Sequence, residues 1–294
     1  MERILVATEL AESSRGALRA AMELSRRFKA PMRVLLVAPK SYARSRIAKT
    51  LQLLDTRRLE VALEEFIREE VDGPEEDLSR IERKIGFGDA AEVLLAEAKS
   101  WTASLMVAGT HCRSALQRLL HGSVSARLSR SAAAPVLVAP PTSPARPKRI
   151  LAAVDTDSSI ELVLRSAAAW QETFDAQLTV VHVFAESRKT TASRAELDLG
   201  KVETEEEQIR VYVDSKVHAV FDSQRAVNLR FLRGRPDLEL RREVWAQRAD
   251  LLILGAHERN SLFDIHNTVT ALLDACPCQV LVLHPPSLPV EAMG

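Results

Sequence analysis

The sequence predicts an α/β protein made of two tandem, open, doubly wound five-stranded parallel-sheet domains. Three observations predict it. The chain has 294 residues, enough for two domains of the usual size of roughly 100–200. An internal repeat recurs at an offset of 146 residues. Within each copy, short continuous apolar runs alternate with longer charged stretches, the pattern of buried parallel strands joined by right-handed helical crossovers.

The repeat rests on three apolar runs in the same register. Ile4-Leu5-Val6-Ala7-Thr8-Glu9 matches Ile150-Leu151-Ala152-Ala153-Val154-Asp155. Val34-Leu35-Leu36-Val37 matches Val180-Val181-His182-Val183, and Leu105-Met106-Val107-Ala108-Gly109 matches Leu251-Leu252-Ile253-Leu254-Gly255. Residues 1–140 therefore form one domain and 149–284 the second. Residues 141–148 form a linker, and 285–294 a tail. Pro140, Pro141, Pro144 and Pro147 cannot propagate a helix or central strand, so the linker is expected to be extended and stiff.

In copy one, Ile4 to Thr8 is a strand buried on both faces. Ser13 and Ser14 suit the cap of a helix reaching Phe28, with Ala17, Leu18, Ala21 and Leu24 on its apolar side. Met32 to Ala38 is a second buried strand, and Tyr42 to about Val71 a longer helix broken by Asp72-Gly73-Pro74. Arg80 to Ile85 alternates charge with isoleucine and suits an exposed strand. A helix over Ala90–Lys99, a strand over Leu105–Ala108, a helix over Ser123–Arg130 and a strand over Val136–Val138 follow. Copy two repeats the order. Its strands are at Ile150–Val154, Leu178–Phe184, Asn228–Leu232, Leu251–Leu254 and Val280–Leu283. Its helices lie near Ser158–Phe174, Arg194–Phe221, Asp237–Arg248 and Thr268–Ala275.

Composition narrows the function. Lys plus Arg equals Asp plus Glu at 40 each, and aromatics are 4%, so neither a polyanion surface nor a base-stacking platform is expected. Nucleic acid is not a predicted partner. Three cysteines, Cys112, Cys276 and Cys278, are too few for a disulfide framework and fit a cytoplasmic location. There is no signal-peptide pattern and no apolar run of membrane-spanning length.

The segment that carries chemistry is Gly109 to Ser123. It leaves a buried strand and ends at a helix start. Gly109 lets the chain turn off the strand tip, and Gly122 and Ser123 open the next helix. Bare backbone N–H groups and the helix dipole there make a cradle for an anion, and the Ser123 hydroxyl can add a hydrogen bond to a phosphate oxygen. Arg113 and Arg118 bring positive charge nearby.

This stretch, followed by Pro135-Val136-Leu137-Val138, resembles the universal stress protein family. Its ATP-binding members carry Gly, two residues, Gly, nine residues, Gly, then Ser or Thr. The resemblance extends to Ile4-Leu5-Val6-Ala7-Thr8, Leu36-Val37, Gly88-Asp89-Ala90-Ala91-Glu92 and, in copy two, Val181-His182-Val183. It implies a Rossmann-like fold and a nucleotide site in copy one formed by Glu9, Val37, Gly109, Thr110, Cys112, Arg113, Gly122, Ser123 and Val124. The ligand is then ATP or a related adenine nucleotide. Gly109, Gly122 and Ser123 hold phosphates, Val37 contacts adenine, and Glu9 contacts adenine or ribose. The resemblance also implies that the last strands of the copies pair, as a pseudo-dimer within one chain. A homodimer of the whole chain and a protein partner are compatible with it.

Two departures bear on the site. Cys112 stands at the motif's second glycine, where a positive φ would cost a side chain about 1 kcal/mol. Glu9 stands where the family has Asp. Copy two departs further. Its loop, Gly255 to Thr268, has two fewer residues before the final strand. It carries Glu258 and Asp264, and places His266-Asn267 where copy one has Gly122-Ser123. It is expected to have lost ATP or to bind something else, although Asp155 keeps the family's acid.

Other motifs read as structural. Gly86-Phe87-Gly88-Asp89-Ala90-Ala91 matches a dinucleotide fingerprint but follows the third strand, so it reads as a tight turn. Cys276-Pro277-Cys278 with His284 is too closely spaced for zinc and reads as packing. His257, Glu258, Asp264 and His266 read as solvated loop residues rather than a metal site. No nucleophile elbow, P-loop or zinc-protease motif occurs, so no catalytic residue is assigned. The alternatives to a nucleotide-binding signalling protein are a nucleotide-independent stress scaffold and a slow ATPase.

Overall fold

The computed structural model describes residues 1–39, 49–70, 80–110, 124–184, 199–221, 226–256, 265–275 and 277–284. Among them are ten strands and eight helices. The first repeat runs β1 (Ile4–Thr8), α1 (Glu12–Phe28), β2 (Met32–Ala38), α2 (Lys49–Glu70), β3 (Ile81–Phe87), α3 (Ala90–Ser100), β4 (Leu105–Gly109), α4 (Val124–Ser131) and β5 (Val136–Ala139). The second runs β6 (Arg149–Ala153), α5 (Ile160–Phe174), β7 (Gln177–Phe184), α6 (Leu199–Val220), β8 (Val227–Arg233), α7 (Pro236–Gln247), β9 (Leu251–Gly255), α8 (Ile265–Ala275) and β10 (Gln279–Leu283). Each repeat thus supplies the five strands that its sequence predicts.

The chain divides into two compact units, residues 1–146 with 277–294, and residues 147–276. In the first unit the strand order is β3-β2-β1-β4-β5-β10. The first five strands are parallel, with β1 between β2 and β4. β10 joins β5 antiparallel, Val280 opposite Val138 and Val282 opposite Val136. The last strand of the second repeat therefore counts with the first unit. β5 is wholly buried, because an apolar Val-Leu-Val-Ala strand left as an edge would offer its backbone to any passing chain. Right-handed crossovers place the β1-α1-β2-α2-β3 connections on one face and β3-α3-β4-α4-β5 on the other, since the chain runs outward from β1 to β3 and then resumes on the other side of β1.

Local sequence explains the elements. β1, β2 and β4 are apolar runs covered on both faces. β3 is less covered than these three, with Glu82, Arg83 and Lys84 exposed and Ile85 to Phe87 half-buried, as its alternating charge predicts. Asp89 caps α3 by accepting a hydrogen bond from the Glu92 N–H at 3.0 Å. The preceding Gly88 sits at φ +145°, open to glycine alone, so the tight strand-to-helix turn expected of this motif is made at Gly88, while Gly86 and Phe87 still belong to β3.

Two expectations are corrected. Ser13 and Ser14 do not cap α1; the cap position is Ala11 and no side chain fills it. Ser14 is buried inside the first turn instead. Nor is the proline-rich segment extended through its first half, which turns back on itself and docks on α1. Pro140 is buried, Ser143 folds back to the Pro140 carbonyl, Arg19 of α1 donates to the Pro141 carbonyl, and Arg146 pairs with Glu23 at 2.8 Å. Gly16 makes room, since a Cβ there would lie 2.7 Å from the Pro140 carbonyl carbon.

In the second unit the strand order is β9-β6-β7-β8, all parallel. Buried His182 of β7 contacts the Val154 carbonyl through Nδ1 at 3.0 Å. Its ring meets Phe184 edge-on, and Arg210 of α6 lies over Phe184 and Phe231.

Candidate functional site

Open α/β sheets bind ligands outside the carboxyl ends of their strands, where the strand order reverses. In the first unit that point lies between β1 and β4, which pair from Ile4 with Leu105 to Val6 with Val107. Glu9 follows the end of β1, Gly109 ends β4 and Thr110 follows it. The topology therefore brings Glu9, Gly109 and Thr110 to one crevice. Val37 lies near the end of β2, half-buried, opposite Gly86 of β3. Val124 opens α4. Cys112, Arg113, Gly122 and Ser123 lie outside the described residues, as do Arg118 and the loop of the second repeat from 257 to 264.

Gly109 is needed for a different reason from the one its sequence position suggests. A Cβ there would overlap the Ser13 carbonyl oxygen and lie 2.7 Å from its carbon. The start of α1 presses against the tip of β4, and only a residue without a side chain admits it. Gly255 repeats this in the second unit, where a Cβ would lie 2.8 Å from that of Ser159.

Hydroxyl groups tie the crevice together. The Ser125 hydroxyl of α4 donates to the Gly109 carbonyl at 3.1 Å, fixing the helix start to the strand tip. The Glu9 N–H donates to Ser14 Oγ at 3.1 Å, and the Leu10 N–H donates to Thr8 Oγ1 at 3.1 Å. Thr110 Oγ1 is buried with no hydrogen-bond partner among the described residues. An orphaned buried hydroxyl is costly, and a ligand oxygen would relieve it. Sequence reasoning named Thr110 but missed Thr8 and Ser125, and gave Ser14 the wrong role. Their only signal is a small hydroxyl residue beside a strand end or helix start.

Arg127, one turn into α4, pairs with Asp89 at 2.8 Å. Its hydrogen bond, with that of the Glu92 amide, holds the Asp89 carboxyl below the usual carboxylate range. This joins the starts of α3 and α4 on the side of the sheet that carries Val37.

The other motifs are structural where they are described. Cys278 is buried. His284 Nε2 contacts the Ser129 carbonyl at 2.9 Å, and burial lowers its pKa from the ordinary value. No group of metal-ligating side chains occurs among the described residues, and no described helix is long and apolar enough to cross a membrane.

The model of the universal stress protein family matches the chain twice, over residues 1–140 and 147–284. A universal stress protein from Archaeoglobus fulgidus, 16% identical, aligns over 97% of this chain and 97% of its own with a TM-score of 0.65. A functionally unknown protein from Pseudomonas aeruginosa, 20% identical, aligns over 97% and 93% with a TM-score of 0.64. Both likenesses are ones of fold. A universal stress protein solved in complex with cAMP, 19% identical, aligns over 48% of this chain and 98% of its own with a TM-score of 0.36. No curated protein matches significantly.

Proposed function

Because the chain belongs to the universal stress protein family through both of its repeats, we propose that it is an adenine-nucleotide-binding stress-response or signalling protein whose first repeat holds ATP. The observation that carries this reading is the crevice between β1 and β4. There the buried Thr110 hydroxyl lacks a partner, and α4 is pinned to the strand tip by Ser125. Gly109, Thr110, Cys112, Arg113, Gly122, Ser123 and Val124 would line the phosphates, with the start of α4 contributing amide donors and a favourable dipole. Glu9 would accept from ribose or adenine, and the half-buried Val37 would offer an apolar wall to the base.

The second repeat supports a different role. Its Asp155 Oδ1 accepts a hydrogen bond from the Thr156 N–H at 2.7 Å, so the acid is engaged with its own loop. Its helices expose Val211, Tyr212 and Trp245. These favour a second reading, in which this repeat contacts a protein and the chain acts as a scaffold. The cytoplasm is the proposed location, and ATP turnover is not part of the proposal.

Equilibrium dialysis of the full chain against ATP tests the nucleotide reading. Wild type should bind at up to millimolar ATP, and Gly122→Glu, which sets a carboxylate in the phosphate path, should abolish binding while the protein stays folded. Equal binding by both sinks it. Mass spectrometry of small molecules co-purifying with the native protein is an independent check.

A further inference from the structure

The β1–α1 loop of the first repeat is built unlike its counterpart in the second, although both leave a strand end where the order reverses. Leu10 holds φ +57°, a left-handed conformation that residues with a Cβ avoid. Two hydroxyls keep it there. Thr8 Oγ1 accepts from the Leu10 N–H, and Ser14 Oγ accepts from the Glu9 N–H. Thr8 is 5% exposed and Ser14 4%, so water competes little for either bond. Ser14 also lies under the tip of β4, its Cα 3.0 Å from where a Gly109 Cβ would stand.

At the repeat offset the second copy has Val154 for Thr8 and Ile160 for Ser14, both buried and neither bearing a hydroxyl. Its loop is held by its own carboxylates. Asp155 Oδ1 accepts from the Thr156 N–H, and Asp157 Oδ1 accepts from the Ser159 N–H at 2.9 Å and its hydroxyl at 2.7 Å. No residue from Asp155 to Ser158 takes a positive φ. One loop is thus relaxed and self-capped. The other is strained and clamped from beneath, and such strain persists only where its surroundings enforce it, most often beside a ligand.

Glu9 itself is exposed, while its amide is anchored to the buried Ser14. A fixed backbone limits where the carboxylate can reach. We propose that Ser14, supported by Thr8 behind Leu10, is a positioning residue that sets the Glu9 carboxylate against the base or ribose of the nucleotide. The same clamp makes the first repeat the adenine-nucleotide site in preference to the second. This rests on the nucleotide reading given above.

The test is a double-mutant cycle on the full chain, with ATP affinity and thermal melting measured for each variant. Ser14→Ala and Glu9→Gln should each weaken ATP about tenfold, and the double variant should be no weaker than either. Leu10→Gly should also weaken ATP while melting no lower than wild type, because glycine relieves the left-handed strain but frees the loop. A residue that merely supported the fold would lower affinity and melting temperature together. Additive losses in the double variant, or a Leu10→Gly protein that binds ATP as wild type does, overturn the positioning role and leave the nucleotide site standing. A wild-type chain that binds no ATP overturns both.

Discussion

Replacing Gly109 with alanine tests the close approach between β4 and α1. The added Cβ would overlap the Ser13 carbonyl oxygen and lie 2.7 Å from its carbon and 3.0 Å from Ser14 Cα. Carbon atoms in contact ordinarily sit about 3.5–4.0 Å apart, so the helix start must retreat by roughly 1 Å. All the colliding atoms are backbone, and no rotamer change relieves them. The adjoining turn is packed too, with Ser14, Ala17 and Leu18 buried. Overpacking of this kind costs about 1–3 kcal/mol, and the rigidity of the neighbours puts Gly109→Ala at about 2–3. For a unit of this size that lowers the melting temperature by about 4–12 °C. Gly86→Ala is the control. Its Cβ would meet only side-chain atoms, Val93 Cγ1 at 2.6 Å and then Leu35 Cδ1 at 3.5 Å. A valine rotamer change can accommodate that at about 1 kcal/mol or less. Scanning calorimetry of the three proteins reads the difference. If Gly109→Ala melts with Gly86→Ala, the close approach is not what requires glycine, and the account of the strand tip is wrong.

Two further predictions concern charge and helix ends. Burial pushes the Glu97 carboxyl up, but hydrogen bonds from Lys84 and Arg33 outweigh it and hold it below its ordinary value of 4.5. Below pH 4.5 the unfolded chain therefore binds more protons than the folded one, and stability falls with pH until the folded carboxyl titrates. Glu97→Gln should flatten that part of a urea midpoint-versus-pH curve, and an unchanged slope would refute the assignment. Lys29 caps α1 in the left-handed region at φ +51°, so Lys29→Gly should raise stability by a few tenths to about 1 kcal/mol. A lower urea midpoint for that variant would show that the lysine side chain matters more than the strain.

Most of the scaffold was legible because buried parallel strands announce themselves as unbroken apolar runs. Ile4–Thr8 and Met32–Ala38 have the bounds expected of them, and the less covered β3 followed from its alternating charge. The β5–β10 pairing was legible only through the family resemblance, helped by apolar last strands whose edges need covering. What failed depended on distant contacts. Ser14 lies just past a strand at a helix start, where a cap is expected, and nothing local says that the Glu9 N–H will donate to its hydroxyl. Gly109 was read as a turn residue because its clash partner, Ser13, lies 96 residues away in sequence. The docking of Pro140 and Pro141 on α1 was hidden for the same reason, since prolines in series look like a spacer until Gly16 and Arg19 are placed beside them. α8 begins at Ile265, three residues earlier than Thr268, where His266 and Asn267, poor helix formers, gave the sequence no sign of a helix.

The strand added to β5 has a consequence in time. On the ribosome, Ala139 is made long before Gln279, and the intervening stretch takes on the order of 7–28 s at about 5–20 residues per second. Throughout that interval the nascent first unit can fold its five parallel strands but must leave the outer rim of β5 bare. A stop codon anywhere before β10 would make that bareness permanent. The two repeats therefore cannot be separated by a cut between them without leaving the first half adhesive, and selection on the final coding segment is in part selection on the first domain.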